Sequence, residues 1–185
     1  MSKGKMFVIS GASGVGKSTV LKQVMDGRDD LKFSVSATTR PPRPGETDGV
    51  HYYFVTKARF EEMIRENAFL EYDAHAGNYY GPPRAQAEEK MEHGLLLLDI
   101  EPMGAKQVKQ SAPDAVLIFI MPPSREELER RLRSRGDTSE EQIKMRLERA
   151  SWETEQRSCY DYTVVNDDAK RCAGEILTII ANLAD

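Results

Sequence analysis

The chain has 185 residues, of which 39% are apolar and 30% charged, values that suit one globular domain with a sizeable core. Its net charge of −4 argues against a general nucleic-acid binder, and no apolar run approaches the length of a membrane span or of a signal region. Cys159 and Cys172 fit neither a metal pattern nor a disulfide framework. We therefore expect a protein of a reducing compartment, most simply the cytoplasm, that binds neither nucleic acid nor membrane.

The first apolar run, Met6–Ser10, predicts a strand and leads into Gly11–Ser18, which fits the phosphate-binding template G-x-x-x-x-G-K-[ST]. A helix is predicted from Lys17 to about Met25. Glycines let successive N–H groups point at a polyphosphate, Lys17 adds a charge for the β- and γ-phosphates, and the Ser18 hydroxyl can ligate Mg²⁺. The alternative is a glycine-rich turn that matches by chance. The flanking strand and helix favour a nucleoside triphosphate site.

The stretch from about residue 33 to 82 is too long for a connection and carries its own strand signals, so we interpret it as an inserted subdomain. Its predicted elements are a short extended segment at Phe33–Ser36, a strand at Val50–Val55 and a helix at Lys57–Asn67. Two short strands or strand ends, separated by a turn, are predicted at Phe69–Tyr72 and Gly77–Tyr80. A kinase needs such a second platform to close over the phosphate acceptor and exclude water.

The second half of the chain alternates apolar strands with helices. Helices are predicted at Arg84–Gly94, Ser124–Arg135, Glu140–Gln156 and Lys170–Leu183, and strands at Leu95–Leu98, Val116–Met121 and Tyr162–Val165. Together with the first strand, these predict an α/β fold in which a parallel sheet is covered by helices on both faces.

Polar residues at strand ends and on a proline-stiffened loop are candidates for chemistry. Asp99 ends the buried run Leu95–Leu98, an arrangement that positions Mg²⁺ directly or through water, although Asp also ends many strands as a turn former. Arg40 and Arg43 lie on a loop rich in proline, and guanidinium groups suit phosphate oxygens. The alternative is a surface loop with solvated arginines.

Several motifs together carry a more specific signal. They are S-G-x-S-G-x-G-K-S at 10–18, S-V-S-x-T-T-R-x-P-R-x-G-E at 34–46, D-G-x-x-Y at 48–52, F-L-E at 69–71, G-N-Y-Y-G at 77–81, L-L-D-I at 97–100, R-G-x-x-S-E-E at 135–141 and V-N-D-D at 165–168. In this combination the chain resembles the guanylate kinases over nearly its whole length.

The resemblance implies a fold and a division of the chain. The fold is that of P-loop nucleoside monophosphate kinases: a parallel sheet with helices on both faces, an inserted mixed α+β acceptor-binding subdomain and a helical lid. Residues 1–185 then form one domain, with its core at about 1–32, 84–124 and 158–185, the GMP-binding subdomain at about 33–83 and the lid at about 125–157.

The resemblance also implies roles for matching residues. The GMP phosphate is held by Arg40, Arg43, Tyr52 and Tyr80, and the guanine lies near Ser36, Glu71 and Glu101. ATP is held by Gly11, Ala12, Ser13, Gly14, Val15, Gly16, Lys17, Ser18 and Thr19, by the lid residue Arg135 and by Asn166 near the adenine. The catalytic residues are Lys17, Arg43, Arg135 and the second lid arginine, Arg146, and Mg²⁺ is held by Ser18 and Asp99.

The chemistry of guanine agrees with the role of Glu71. Guanine presents two adjacent donors, N1–H and the 2-amino group, which one carboxylate can accept together, whereas adenine presents an unprotonated N1. Sites built on buried hydrogen bonds can reject the wrong partner by roughly 10⁴-fold or more. Without the resemblance, Glu71 would be read as an ordinary exposed strand glutamate.

Three positions depart from the family pattern and put the tightness of guanine recognition in doubt. Pro82 stands where a Ser or Thr usually offers a hydroxyl to the base, Met103 replaces an amide, and Ala37 replaces a polar residue. We expect the Michaelis constant for GMP to be raised relative to a variant that restores the hydroxyl.

The resemblance implies a transferase of purine nucleotide metabolism that uses ATP with Mg²⁺ to convert GMP and dGMP to the diphosphates by in-line transfer. One alternative keeps the chemistry but changes the acceptor to another nucleoside monophosphate or a phosphosugar. Another is a non-catalytic guanylate-kinase-like domain that binds phosphopeptides, against which the intact Lys17, Ser18 and Asp99 argue. The protein is expected to be a monomer or homodimer.

Overall fold

A computed structural model describes residues 4–75, 77–92, 94–134 and 139–184. The strands are β1 (Met6–Gly11), β2 (Leu31–Phe33), β3 (Ala37–Thr38), β4 (Tyr53–Phe54), β5 (Asp73–His75), β6 (Asn78–Gly81), β7 (Leu95–Asp99), β8 (Val116–Met121) and β9 (Tyr162–Val165). The helices are α1 (Lys17–Asp26), α2 (Lys57–Arg65), α3 (Arg84–Glu92), α4 (Pro102–Ser111), α5 (Arg125–Ser134), α6 (Glu140–Glu155) and α7 (Ala169–Ala184), and a short 3₁₀ turn spans Gln156–Cys159.

The main sheet is parallel throughout and has the order β2-β7-β1-β8-β9. Its central strands are apolar at successive positions because helices cover both faces. Phe7 and Ile9 of β1 point into one apolar layer with α1 and α7, whereas Met6 and Val8 point into the other with α3 and α4. This confirms the expected α/β sheet, and β2 adds a fifth, edge strand to the four that were predicted.

The second sheet is mixed and has the order β4-β3-β6-β5. Helix α2 covers it, and its Phe60 is fully buried, with the ring stacked on those of Phe69 at 4.3 Å and Tyr79 at 5.2 Å. All of these elements fall within the inserted stretch that the sequence indicated. The insertion is thus a small sheet with its own aromatic core.

Three elements of this stretch were misplaced by the sequence analysis. The extended segment expected at Phe33–Ser36 falls between two strands, because β2 ends at Phe33 and belongs to the main sheet, whereas β3 begins at Ala37. The strand expected over Val50–Val55 is only the two residues of β4, and Phe69–Tyr72 contributes no strand but a single bridge between Phe69 and Pro83. The reason is packing, because Phe69 turns its ring into the aromatic core and the chain pairs with its neighbour only from Asp73 onward.

Helix α4 was not predicted, because Pro102 and Gly104 at its start resemble a turn. Pro102 occupies the first helical turn, where its missing N–H costs nothing. The other helices begin and end within a few residues of their predicted bounds, and α6 starts with a capping box in which Ser139 and Gln142 each bond the other's backbone. Among the described residues, none of the helices is long and apolar enough to cross a membrane.

Candidate active site

A cleft of about 780 Å³ lies at the carboxyl edge of the main sheet, between that edge, the second sheet and α6. Open parallel sheets bind ligands at this edge. Residues from all three parts line it: Gly11–Thr19 from the loop between β1 and α1, Ser36, Tyr52, Glu71, Asp73 and Tyr80 from the insertion, Asp99, Ile100 and Glu101 after β7, and Met145, Arg146, Arg149 and Glu153 from α6.

The loop after β1 forms one wall of the cleft. Gly14 and Gly16 have φ angles of 85° and 91°, a backbone region that side chains rarely adopt, and Gly16 immediately precedes α1. At Gly14 there is also no room for a side chain, since a Cβ would come within 2.7 Å of a Leu132 methyl group. The loop therefore directs the N-terminus of α1, with Lys17 and Ser18, into the cleft, as a polyphosphate site requires.

Lys17 forms an ion pair with Asp99 across the base of the cleft. Burial of the amine lowers the pKa of Lys17, but the attraction of Asp99 and Glu101 outweighs it, so that the net pKa is raised and the lysine stays charged. A bound phosphate would meet a fixed cation at this point. The pairing also places Asp99 where the sequence analysis expected it, at the end of a buried strand beside the loop.

Ser18 and Asp99 both line the cleft and present oxygen atoms to it. Hard oxygen donors of this kind, completed by phosphate oxygens and water, are what Mg²⁺ prefers. The two residues therefore fit the ion, provided that Lys17 releases Asp99 to it or shares it.

Asn166 supports the phosphate-binding loop from behind. It is 4% exposed, and its side-chain amide donates to the Val15 carbonyl at 2.7 Å. Arg131 donates to the carbonyl of Asn166 at 3.0 Å and pairs with Glu127. The sequence analysis expected Asn166 near the adenine. The described contacts of Asn166 and Arg131 show in addition that both residues brace the loop.

The opposite wall comes from the insertion and contains four of the expected acceptor-site residues. Ser36, Tyr52, Glu71 and Tyr80 all line the cleft, and the rings of Tyr52 and Tyr80 lie 6.0 Å apart, edge to face. Their hydroxyl groups and the Ser36 hydroxyl give this wall neutral donors.

The two loop arginines do not line the cleft in this arrangement. Arg40 is held by Glu46 through two hydrogen bonds of 2.8 and 2.9 Å, with its guanidinium 5.4 Å from the centre of the Tyr52 ring. This pairing lowers the pKa of Glu46 to about 2. Arg43 is exposed, and its backbone N–H also donates to Glu46. Glu46, which the sequence analysis did not assign, thus organises the loop.

Glu71 is the buried carboxyl group of the acceptor wall. It is 6% exposed, and its Oε2 has no hydrogen-bond partner among the described residues. Burial raises the pKa of Glu71 to about 8, and the nearby Asp73 and Glu101 add to the shift. The carboxyl group lies on Gly104 of α4, where a Cβ would come within 2.5 Å of Oε2. A buried acceptor without a partner indicates a ligand donor.

The lid residues are only partly described. Arg146 is exposed on α6 and lines the cleft, whereas Arg135 lies outside the described residues. Three further residues of α6 line the cleft and were not expected: Met145, Arg149 and Glu153, of which Arg149 and Glu153 are charged. Arg149 and Glu153 are four residues apart on a helix, so the sequence spacing could have suggested an ion pair between them. The spacing could not have shown that Glu153 is buried against the phosphate-binding loop.

A phosphate-binding loop at the edge of a parallel sheet, an aspartate at the next strand end and a second sheet across the cleft define a P-loop α/β protein of the nucleoside monophosphate kinase class. The sequence model of the guanylate kinases matches residues 3–183. This chain therefore belongs to the guanylate kinase family.

Individual members of this family, and one of their solved structures, are similar to this chain over most of its length. The chain is 51% identical over 179 residues to a guanylate kinase of Thermus thermophilus, covering 96% of this chain and 81% of the relative. It is 47% identical over 177 residues to one of Prochlorococcus marinus, covering 95% and 96% of the two chains. The crystal structure of guanylate kinase from Anaplasma phagocytophilum superposes with a TM-score of 0.76 at 33% identity, covering 99% of this chain and 87% of that one.

Proposed function

We propose that this chain transfers the γ-phosphoryl group of ATP to GMP, and to dGMP, giving the diphosphates. The observation that carries the proposal is the pairing of two walls in one cleft. A glycine-rich phosphate loop faces a second sheet that presents hydroxyl groups and a buried, unpartnered carboxyl group. Membership of the guanylate kinase family supports the same reaction.

On the donor side, the backbone N–H groups of the loop cradle the phosphates of ATP, and Lys17 supplies a charge that is already fixed in place. Ser18 and Asp99 would hold Mg²⁺, which would neutralise negative charge on the phosphate oxygens. Lys17 then exchanges the carboxylate of Asp99 for a phosphate. Because the lysine is charged beforehand, no proton has to move.

On the acceptor side, the hydroxyl groups of Tyr52 and Tyr80 donate hydrogen bonds to the GMP phosphate, and Arg40 and Arg43 approach it as the insertion closes. Arg40 is already ordered by Glu46, so little side-chain entropy is lost when it binds phosphate. Glu71 accepts the N1–H and 2-amino groups of guanine, with Ser36 and Glu101 beside the base.

The transfer itself needs positioning and charge neutralisation rather than a general base. The acceptor phosphate is already a nucleophile, and the charge of the transferring group is spread over its oxygens. Arg146 from α6, together with Arg135, meets that charge when the lid closes. Closure also excludes water, which would otherwise hydrolyse ATP.

A coupled assay of ADP release with GMP, dGMP, AMP, UMP and CMP tests the proposal. We expect turnover with GMP and dGMP, and a loss of roughly 10²- to 10³-fold in kcat for Lys17→Ala, by analogy with the removal of one charged transition-state donor. Lys22→Ala is the matched control, because Lys22 lies on the same helix but is exposed and, among the described residues, forms an ion pair with Asp26 alone. Turnover with another acceptor would select the alternative substrate, and GMP binding without turnover would select the non-catalytic domain.

We also place the reaction in the cytoplasm, where its nucleotides and a reducing environment are found. Two free cysteines, exposed Cys159 and buried Cys172, support this. The protein is proposed to act as a monomer or homodimer without nucleic-acid or membrane partners.

A further inference from the structure

One arginine on the cleft-facing side of α6 contacts two carboxyl groups from different parts of the fold. Arg149 Nε donates to Glu153 Oε1 at 2.7 Å, and its Nη2 donates to Glu101 Oε2 at 3.2 Å. Glu153 belongs to the same helix, whereas Glu101 follows strand β7. The side chain of Arg149 is 42% exposed and that of Glu101 is 48% exposed, but Glu153 is 1% exposed. The contact with Glu101 is therefore open to water, and the contact with Glu153 reaches into the protein.

The buried end of this arrangement lies against the phosphate-binding loop. Glu153 Oε2 accepts the backbone N–H of Ser13 at 2.6 Å, while its Oε1 accepts Arg149. Both carboxylate oxygens thus face N–H donors, which favour the ionised form, whereas burial of the carboxyl group raises the pKa of Glu153. A charge-assisted bond to a backbone amide is among the stronger hydrogen bonds in proteins. Ser13 is consequently anchored to α6.

A buried carboxylate beside a phosphate site is costly unless a cation balances it. Lys17 is engaged with Asp99, so Arg149 is the cation in hydrogen-bond contact with Glu153 among the described residues. Without Arg149, Glu153 would either take up a proton or move toward water. Both changes weaken or remove its bond to the Ser13 amide.

We propose that Arg149 is a positioning residue for the phosphate-binding loop, acting through Glu153 to hold the Ser13 amide in place. Its second contact, with Glu101, is exposed to water and joins α6 to the segment that follows β7. The role is distinct from that of Arg146, which faces the cleft as a group for the transferring phosphoryl. The inference rests on the proposed function only in assigning the donor nucleotide to this loop.

Binding of ADP, measured by calorimetric titration without GMP, tests the inference. We expect Arg149→Ala to weaken ADP binding roughly tenfold, the effect of losing one charge-assisted bond. Glu153→Gln keeps an oxygen for the Ser13 amide but no longer needs a balancing cation. In that background, Arg149→Ala should change the affinity by less than about twofold. Arg130→Ala is the control, because Arg130 makes a similar 2.7 Å bond to Glu127 on an exposed helix face.

Steady-state kinetics should likewise show an effect of Arg149 on ATP that is larger than its effect on GMP. Arg149→Ala is expected to raise the Michaelis constant for ATP about tenfold and that for GMP much less, and Arg149→Lys, which keeps the charge, should recover part of the loss. Equal effects of Arg149→Ala with and without Glu153→Gln would overturn the inference, as would a loss confined to GMP. Wild-type protein that binds ADP but does not phosphorylate GMP would overturn the proposed function alone. Wild-type protein that binds no ADP would overturn both.

Discussion

The charge state of Glu71 should control the affinity for GMP through pH. Burial raises the pKa of its carboxyl group to about 8, and the nearby carboxyl groups of Asp73 and Glu101 add to the shift. Guanine offers two donors, so it needs the ionised form of Glu71. At pH 7 only about one molecule in ten has this form ready, and the Michaelis constant for GMP should lie roughly tenfold above its limiting value at high pH.

The assay is steady-state kinetics with GMP at saturating ATP between pH 6.5 and 9, a window above the second pKa of a phosphate monoester at about 6. We expect kcat/KM for GMP to rise by close to tenfold per pH unit up to pH 7.5 and to level off above pH 8.5. The Michaelis constant for ATP should not follow this curve, because Glu71 lies on the acceptor wall.

Glu71→Gln is the matched control, since the amide has the same shape but does not titrate. It should lose the pH dependence and lower kcat/KM for GMP by about 10²-fold or more, because the amide NH₂ opposes a guanine donor. A wild-type profile that is flat from pH 6.5 to 9, or a variant that keeps the wild-type slope, would refute the role of Glu71 ionisation.

Three further expectations concern the same wall. The folded-state pKa of Glu71 is above its unfolded value, so stability is lost as pH rises from about 4.5 to 8. Glu71→Gln, which does not titrate, should therefore be more stable than wild type by up to about 5 kcal/mol at pH 8.5 and by little at pH 4.5, as measured by urea unfolding. Gly104→Ala should raise the Michaelis constant for GMP about tenfold and leave that for ATP unchanged, because its Cβ would displace Glu71 Oε2; equal constants for GMP would show that the carboxyl group is free to move. Pro82→Thr should lower the Michaelis constant for GMP by a few fold, since it restores a hydroxyl near the base, and an unchanged constant would remove the argument from the missing hydroxyl.

Much of the framework could be predicted because local pattern and tertiary environment agree. β1, β7 and β8 are buried on both faces, and their unbroken apolar runs predict this burial. The loop Gly11–Ser18 follows its template because glycine is required at fixed points of the backbone. Where burial determines residue type, sequence alone was sufficient.

The rest depended on contacts between residues far apart in the chain. Arg40 looks free in the sequence, yet Glu46 holds it, and nothing in the local pattern distinguishes that carboxylate from a solvated one. Likewise, Glu153 reads as one charge among many on α6, but it is buried because the helix packs on a loop about 140 residues earlier. Met103 was expected near the base, but its side chain is 49% exposed and does not line the cleft.

The hydrogen bond between the Ser13 backbone N–H and Glu153 fixes one end of α6 against the phosphate-binding loop. Arg146 lies about two turns from Glu153, or roughly 10 Å along the axis. A motion of the helix about this anchored end would move Arg146 farther than the residues beside Glu153, and it would also shift Ile143 and Leu147, which are buried in the apolar layer that contains Val15 of the loop. The position of the arginine that we propose for the transferring phosphoryl is thus coupled to the loop proposed to hold the donor.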